Sequence, residues 1–351
     1  MTETFEIAGR PIGPDHSPYI IAELSGNHNG DLDRALALVD AAANAGADAV
    51  KLQTYTADTI TLDVDRPEFH IKGGLWDGWH LHELYQKAST PWEWHAALFA
   101  RARDHGLHVF SSPFDHTAVD FLETLDAHAY KIASFELVDT PLITKAASTG
   151  KPLIMSTGIA SYGEIEEACR AARGGGAACF ALLHCISAYP AAPETMRLQT
   201  IPALAAAYGV PIGLSDHTLG SAVAVASIAL GACIVEKHMT LARADGGPDA
   251  EFSLEPDEFK QLVSDCRMAY AALGAAQHDR TGVGGANAQF RRSLYVVADV
   301  AAGEVLTEAN VRSVRPGNGL APNHLDVVLG RKAARALMRG EPLDWGMVDH
   351  G

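Results

Sequence analysis

Polar and charged side chains recur at one point of a repeated pattern in the first 240 residues, the end of each short β-rich run. Two of them are lysines, Lys51 and Lys131, and two are histidines, His217 and His238. Ammonium groups and the free N–H groups of helix starts together favour the binding of phosphate and carboxylate. Two imidazoles can hold a divalent ion when water or substrate oxygens complete its shell. These residue types predict a small-anion site beside a metal ion.

The complete set of polar residues at or just after the predicted strand ends is larger. It comprises Glu23, Lys51, Gln53, Ser111, Ser112, Lys131, Ser134, Ser156, Thr157, His184, Ser187, Ser215, Asp216, His217, Glu236 and His238. Successive side chains of a strand point to opposite faces, so Lys51 shares a face with Gln53, Glu236 shares one with His238, and Lys237 points away. One strand-end serine is more often a turn or cap residue than a ligand. The recurrence at every strand favours a functional site.

Each candidate also has a structural explanation. The two lysines could form ion pairs with Glu23 and Glu236, since a buried lysine must be paired. The chain has 16 histidines, so two could stand at strand ends by chance. No third His or Cys follows at zinc spacing, which argues against a closed structural site and favours Mn²⁺, Mg²⁺ or Co²⁺. The sequence contains no G-x-S-x-G string of a serine hydrolase and no GxxxxGK[ST] phosphate loop.

Eight β-then-α units within about 250 residues predict an α/β fold of the (β/α)8 TIM barrel type, in which strand ends converge at one mouth. The strands are predicted near Tyr19–Leu24, Ala49–Gln53, His108–Ser111, Ala129–Ile132, Leu153–Ser156, Phe180–His184, Val210–Leu214 and Cys233–Glu236. Helices are predicted at Asp31–Asn44, Pro91–His105, Ser161–Arg173, Leu219–Leu230 and Pro256–Leu273. A doubly wound open sheet is the alternative, but residues 23–30 lack its G-x-G-x-x-G loop.

Two further segments depart from the βα repeat. Residues 54–90, which we call the lid segment, are too long for an ordinary βα connection, and their aromatic and apolar content predicts an ordered lid. Short alternating runs and glycine turns near the C-terminus predict a small β-rich domain. The predicted organisation is a barrel catalytic domain at 1–275, a linker at 276–290 and the small domain at 291–351.

The amino-acid composition of the chain argues against several classes of function. The 351 residues are 48% hydrophobic and 20% charged, enough for a large core. The net charge of −16, with no basic stripe, argues against nucleic acid or an anionic membrane surface as a partner. Five cysteines without a C-x-x-C string argue against a disulfide framework. The N-terminus does not read as a signal peptide and the longest apolar stretch, 222–235, is short of the ~20 residues of a membrane span, so we expect a cytoplasmic protein.

The sequence resembles the sialic acid synthase family. The strings that carry the resemblance run in order along the chain: IIAELSGNHNG (20–30), GADAVKLQTYT (46–56), IKGGLWDG (71–78), TPWEWH (90–95), FSSPFD (110–115), AYKIASFE (129–136), STG (156–158), CISAYP (185–190), GLSDHTLG (213–220), EKHMTL (236–241), FSLEPDEF (252–259), RRSLY (291–295) and SVRPGNGLAP (313–322). IKGGLWDG and TPWEWH favour the branch whose sugar is 2,4-diacetamido-2,4,6-trideoxy-L-altrose. Ser187 of CISAYP, where sialic acid synthases usually carry Asn, fits that branch.

The resemblance implies a (β/α)8 barrel followed by an antifreeze-like (SAF) domain. The implied activity is a metal-dependent condensation of phosphoenolpyruvate with the open-chain aldehyde of an N-acetylated amino sugar and water, which releases phosphate. His217 and His238 would hold the divalent ion. The residues implied to bind phosphoenolpyruvate are Lys51, Ser112, Lys131, Ser134, Ser156 and Ser215. Those implied to act on the sugar, on water or in proton transfer are Glu23, Gln53, Ser187, Tyr189 and Glu236.

The family also implies a domain-swapped homodimer, in which Arg315 contacts an acetamido group in the partner's site. Two other functions stay open on the sequence. One is a related synthase that makes N-acetylneuraminic (sialic) or legionaminic acid from another N-acetylated hexose. The other is a silent sugar-binding barrel protein, which would be expected to lack the lysines or the histidine pair.

Overall fold

The computed structural model describes residues 5–177, 179–275 and 285–349. It forms two compact units, 1–274 and 275–351. Of the predicted linker at 276–290, residues 276–284 lie outside the described residues, and Gly285–Phe290 form a 3-10 helix. The predicted domain limits stay a prediction.

In the described part of the first unit, eight parallel strands close into a barrel in the order β10-β3-β4-β5-β6-β7-β8-β9. They are β3 (Tyr19–Glu23), β4 (Ala49–Thr54), β5 (His108–Pro113), β6 (Tyr130–Ile132), β7 (Leu153–Ser156), β8 (Phe180–Cys185), β9 (Ile212–Asp216) and β10 (Ile234–His238). An antiparallel hairpin of β1 (Phe5–Ile7) and β2 (Arg10–Ile12) precedes them. The barrel prediction is confirmed, and the strand ends differ from those predicted by at most two residues.

Most helices of the first unit surround the barrel, and two short ones lie in the lid segment. They are α1 (Leu32–Ala45), α2 (Ala57–Ile60), α3 (Leu81–Ala88), α4 (His95–Asp104), α5 (His116–Thr124), α6 (Thr140–Ala147), α7 (Tyr162–Gly175), α8 (Thr200–Tyr208), α9 (Ala222–Ala229) and α10 (Pro256–Leu273). Asp31 and Ser161 cap α1 and α7 with their side chains. The helix predicted from Pro91 is divided, because Pro91 is extended and a 3-10 turn at Trp92–Trp94 precedes α4.

The side chains of the barrel strands belong to two separate cores, because successive residues of a strand point to opposite faces. Outward-facing residues such as Val50 and Leu52 pack against the helices. Inward-facing residues are apolar in the lower barrel and polar near the mouth, as Ile21 precedes Glu23 on β3 and Ile154 precedes Ser156 on β7. The period of two therefore brings a ring of polar groups above an apolar floor.

The N-terminal hairpin closes the lower end of the barrel. Phe5, Ile7 and Ile12 are buried in one cluster with Tyr19 and Phe110 of the barrel interior. The barrel is thus filled by side chains from below, and its polar ring faces the opposite end.

The lid segment contains secondary structure of its own. Helices α2 and α3 flank a 3-10 turn at Pro67–Phe69, and His70 and His80 form a β-bridge. The indole Nε1 of Trp76 donates a hydrogen bond to the carbonyl of Pro248, 2.9 Å away, in the loop after β10. The segment, which follows β4, is therefore attached to the loop after β10, two strands away in the barrel.

The second unit is small and β-rich, as the sequence predicts. Antiparallel strands β11 (Ser293–Val296) and β12 (Val311–Val314) and the short helix α11 (Leu325–Val328) enclose a core of their own. None of the helices in the described residues combines the length and apolar character that crossing a bilayer would require.

Candidate active site

A cavity of about 460 Å³ opens at the carboxyl ends of the barrel strands. Ten residues predicted from the sequence line it: Lys51, Gln53, Lys131, Ser134, Ser156, Tyr189, Ser215, His217, Glu236 and His238. This is the end of a barrel at which active sites lie, and the volume is that of a small-molecule site.

Buried charges form the centre of the cavity. Lys51 Nζ lies 2.7 Å from Glu23 Oε2 and 3.1 Å from Glu236 Oε1. Lys131 Nζ lies 3.8 Å from the same Glu236 oxygen and donates a hydrogen bond to Ser156 Oγ at 2.7 Å. The ion pairs that the structural explanation requires are therefore present, and both lysines also line the cavity.

The cluster shifts the pKa values of its members in different directions. Burial lowers the pKa of Lys51 to about 8, although the Glu236 carboxylate opposes this shift. Burial would raise the pKa of Glu236, but the charges of Lys131 and Lys51 outweigh it and hold that pKa below its usual range. Glu236 is therefore ionised at neutral pH. Its Oε2 is buried and has no hydrogen-bond partner among the described residues.

Gly158 leaves space for two serine hydroxyls beside the lysines. Its backbone N–H donates to Ser134 Oγ at 3.1 Å. A Cβ at Gly158 would overlap Ser187 Oγ and lie 2.6 Å from Ser134 Oγ. The string STG thus combines the hydroxyl of Ser156 with a glycine whose missing side chain leaves room for Ser134 and Ser187. We call these two serines around Gly158 the serine cradle.

The two predicted metal ligands lie side by side, with ring centroids 5.4 Å apart. His217 Nδ1 lies 3.0 Å from the carbonyl of Ile186, and His238 Nδ1 lies 3.3 Å from Ser25 Oγ. Neither Nε2 has a hydrogen-bond partner among the described residues. A hydrogen bond at one ring nitrogen, here Nδ1, orients an imidazole that binds a metal through its other nitrogen. The pair therefore fits a divalent ion.

The imidazoles differ in their electrostatic surroundings. Burial, and then the neighbouring His217, lower the pKa of His238 well below its usual value, so this ring is neutral. Burial opposes protonation of His217, but Cys185 and the Ile186 carbonyl raise its pKa. Among the described residues, no group of three or more His, Cys, Asp or Glu could hold a metal. Water or substrate oxygens would therefore have to complete the shell.

Four predicted site residues are not part of the cavity wall. Glu23 lies behind Lys51, where Ser25 N and Gln53 Nε2 both donate to its Oε1 at 3.1 Å. Ser112 is buried, and its Oγ has no partner in the described part of the chain. Ser187 lies against Gly158, as described above. Arg315 directly follows β12 in the second unit and has an exposed side chain.

Several strand-end residues point away from the cavity, as the alternation requires. Ser111 and Thr54 share a hydrogen bond of 2.7 Å on the helix side. His184 bonds to the carbonyl of Met196. Lys237 forms a buried ion pair of 2.7 Å with Asp216, so the prediction that Lys237 points away is confirmed.

The structure adds cavity residues that sequence reasoning missed. Burial raises the pKa of Glu136 to about 7, and its Oε2 is buried without a partner among the described residues. Asp249 also lines the cavity, and burial raises its pKa. Glu136 ends the string AYKIASFE and could have been found as a residue shortly after β6. Asp249 lies in a loop without any motif, so nothing in the sequence pointed to it.

Comparisons with known proteins agree with this geometry. Residues 38–278 match the NeuB family, and residues 291–349 match the SAF domain. The pseudaminic acid synthase of Campylobacter jejuni is 44% identical over 94% of this chain and 96% of its own length. That of Helicobacter pylori is 44% identical over 93% of this chain and 96% of its own length.

A solved structure of the same architecture is the N-acetylneuraminic acid synthetase of Leptospira borgpetersenii in complex with citrate. It has a TM-score of 0.73 and 31% identity, and the match covers 82% of this chain and 95% of that one. The fold and the cavity together define a barrel enzyme with two buried lysines at its mouth. The chain belongs to the NeuB family, with a C-terminal SAF domain, as the sequence predicts.

Gly158→Ala tests the serine cradle. The added methyl group must displace Ser134 and Ser187, so we expect the KM for phosphoenolpyruvate to rise at least about tenfold, the loss of roughly one good hydrogen bond. Gly163→Ala is the matched control, because the nearest atom to its Cβ is 3.9 Å away. Steady-state phosphate release measures both variants, and an unchanged KM in Gly158→Ala would contradict the cradle.

Proposed function

We propose that this chain is a pseudaminic acid synthase. It would condense phosphoenolpyruvate with 2,4-diacetamido-2,4,6-trideoxy-L-altrose and water to give pseudaminic acid and phosphate. The observation that carries the proposal is one cavity that combines two buried lysines, a serine cradle and two imidazoles with free Nε2 atoms. Identity of 44% to two pseudaminic acid synthases supports this sugar over those of the sialic and legionaminic branches.

Lys51 and Lys131 bind the anionic groups of phosphoenolpyruvate in this proposal. Their charges are balanced by Glu23 and Glu236 before substrate arrives, which keeps two buried ammonium groups stable. Ser134, Ser156 and Ser215, which line the cavity, supply hydroxyl groups around them, whereas the buried Ser112 lies outside the cavity wall. Because these contacts exist in the ground state as well, they mainly contribute to binding.

His217 and His238 would hold the divalent ion through Nε2. When bound, such an ion supplies Lewis-acid polarisation of the sugar aldehyde. The free Nε2 atoms and the bonded Nδ1 atoms support this role.

The carboxylates divide the remaining work. Carbon C3 of phosphoenolpyruvate attacks the aldehyde, which leaves positive charge on the former enol carbon until water adds there and phosphate leaves. The ionised Glu236, with its free Oε2, can stabilise that charge. Glu136, whose pKa of about 7 lies near the working pH, is better suited to take the proton of the water. Glu23 positions Lys51, and Gln53 and Tyr189 face the sugar. Ser187 lies against Gly158 outside the cavity wall and belongs to the serine cradle.

We further propose a homodimer in which the SAF domain of one chain covers the barrel mouth of the other. Phe135, Ile159 and Leu219 lie on loops after β6, β7 and β9, and each is 55% to 62% exposed. The SAF region at 291–349 carries eight basic and seven acidic residues, whereas the chain as a whole has a net charge of −16. Exposed apolar side chains at the barrel mouth, and a barrel that carries the chain's excess of negative charge, suit such a cover. It would bring Arg315 to the partner's sugar.

We also propose that the enzyme works in the cytoplasm. Cys169, Cys185, Cys233 and Cys266 are buried thiols, which is the usual state of cysteines in a reducing compartment.

A sugar panel tests the activity. Phosphate release from phosphoenolpyruvate is measured with 2,4-diacetamido-2,4,6-trideoxy-L-altrose, the corresponding legionaminic precursor and N-acetylmannosamine. We expect kcat/KM to be highest for the altrose by at least about tenfold, the scale of a single group in a binding pocket. Turnover with N-acetylmannosamine alone would reject this sugar, and release with none of them would favour a silent sugar-binding protein.

Removing either imidazole tests the metal site. His217→Ala and His238→Ala should each lose Mn²⁺ binding, measured by electron paramagnetic resonance without substrates, and should lose turnover as well. His184→Gln is the matched control, since His184 is a strand-end histidine that bonds away from the cavity. Retention of wild-type Mn²⁺ affinity in both alanine variants would exclude this pair as the ligands.

Mixed dimers test the domain exchange. Arg315→Ala and His238→Ala should each be inactive alone, whereas co-expression should restore about a quarter of the wild-type activity, because half of the dimers contain one intact composite site. If Arg315 serves its own barrel, no activity returns on mixing.

A further inference from the structure

The two ends of the cavity differ in chemistry. The inner end consists of charged and metal-binding side chains, with Lys51 and Lys131 among them. The outer end is lined largely by the lid segment, which contributes eight apolar or aromatic side chains, among them Tyr55, Tyr85 and Ala88. The other five we call the apolar wall: Ile60, Ile71, Trp76, Leu81 and Leu84.

The apolar wall is held in place by specific contacts. Trp76 donates its indole N–H to the Pro248 carbonyl at 2.9 Å, and its ring lies 5.5 Å from that of Tyr189. Beside it, the ring of Tyr55 packs edge-on against Tyr85 at 5.9 Å and Phe114 at 5.0 Å. The two Trp76 contacts attach the wall to the loops after β8 and β10, so the wall is a built part of the cavity.

The direction of the bound sugar follows from the reaction. The aldehyde carbon must reach phosphoenolpyruvate at the inner end, so the rest of the open-chain sugar extends outward. Its distal carbons, C4 to C6, then lie at the lid segment. A hydroxyl group placed against aliphatic side chains loses its hydrogen bonds to water and gains none, whereas a methyl group is favoured there.

We infer that the apolar wall is a subsite that selects the deoxygenated, acylated end of the sugar. It takes the C6 methyl group and the methyl group of the C4 acetamide, and it disfavours sugars with hydroxyl groups at those carbons. The inference rests on the proposed function and names the part of the substrate that the lid segment recognises. Sugar choice is then set by residues that contact neither phosphoenolpyruvate nor the metal ion.

Two sugars that differ in one atom test the subsite. Wild-type enzyme is compared on 2,4-diacetamido-2,4,6-trideoxy-L-altrose and on its analogue with a hydroxyl group at C6. We expect kcat/KM to favour the deoxy sugar by about 10- to 200-fold, the range for one apolar group in a hydrophobic pocket. Ile71→Asn and Leu81→Asn should reduce this preference at least about tenfold through the sugar KM, with the KM for phosphoenolpyruvate unchanged.

Leu62→Asn is the matched control, because Leu62 belongs to the same segment, is 60% exposed and does not line the cavity. It should keep the wild-type preference. Ile71→Thr, a smaller change of the same kind, replaces Ile71→Asn if that variant has a lowered melting temperature.

The outcomes separate the two hypotheses. Equal use of both sugars by the wild type, or an unchanged preference in the wall variants, overturns the subsite while the synthase activity stands. A parallel rise in the KM for phosphoenolpyruvate also overturns it, since the wall would then support the whole cavity. Turnover of neither sugar, with turnover of N-acetylmannosamine, overturns the proposed function itself.

Discussion

The buried contact between Lys51 and two carboxylates is the constraint on which the site depends. An unpaired ammonium group at the centre of a barrel would be too costly to bury, so Glu23 and Glu236 must lie within 2.7 and 3.1 Å of it. The same carboxylates leave the cluster without net charge before substrate binds. In the proposed function, a multiply charged anion would meet two cations that are already fixed in position, beside the serine hydroxyl groups that Gly158 leaves room for. Under that proposal, stability and binding use one set of residues.

Much of this arrangement could be predicted from the sequence, because it depends on the period of two in the strands. The alternation places Lys51 with Gln53 and Glu236 with His238, and it turns Lys237 outward to Asp216. Strand ends converge in a barrel, so residues far apart in the chain could be assigned to one cavity. Resemblance to a known family then supplied the substrates, which no spacing could have revealed.

The cavity residues that sequence analysis missed lie in loops and turns, where side-chain direction follows no regular period. Asp249 reaches the cavity from a loop whose course depends on tertiary contacts, such as the bond from Trp76 to Pro248. Glu136 stands in a turn, and its raised pKa comes from its burial in the folded chain. Ser111 and His184 read as site residues by position, but their side chains bond to the helix side. The course of a loop and the burial of a side chain depend on the folded chain, so a local sequence pattern cannot predict them.

The hairpin of Phe5–Ile7 and Arg10–Ile12 determines the side from which small molecules can enter the barrel. Because Phe5, Ile7 and Ile12 fill the lower barrel, the lysines are approached from the side of the lid segment. In the proposed function, phosphoenolpyruvate at the lysines would lie deeper than the sugar, and a sugar bound earlier would block its path. That arrangement would favour an ordered mechanism, in which the deeper substrate binds first and the sugar then covers it.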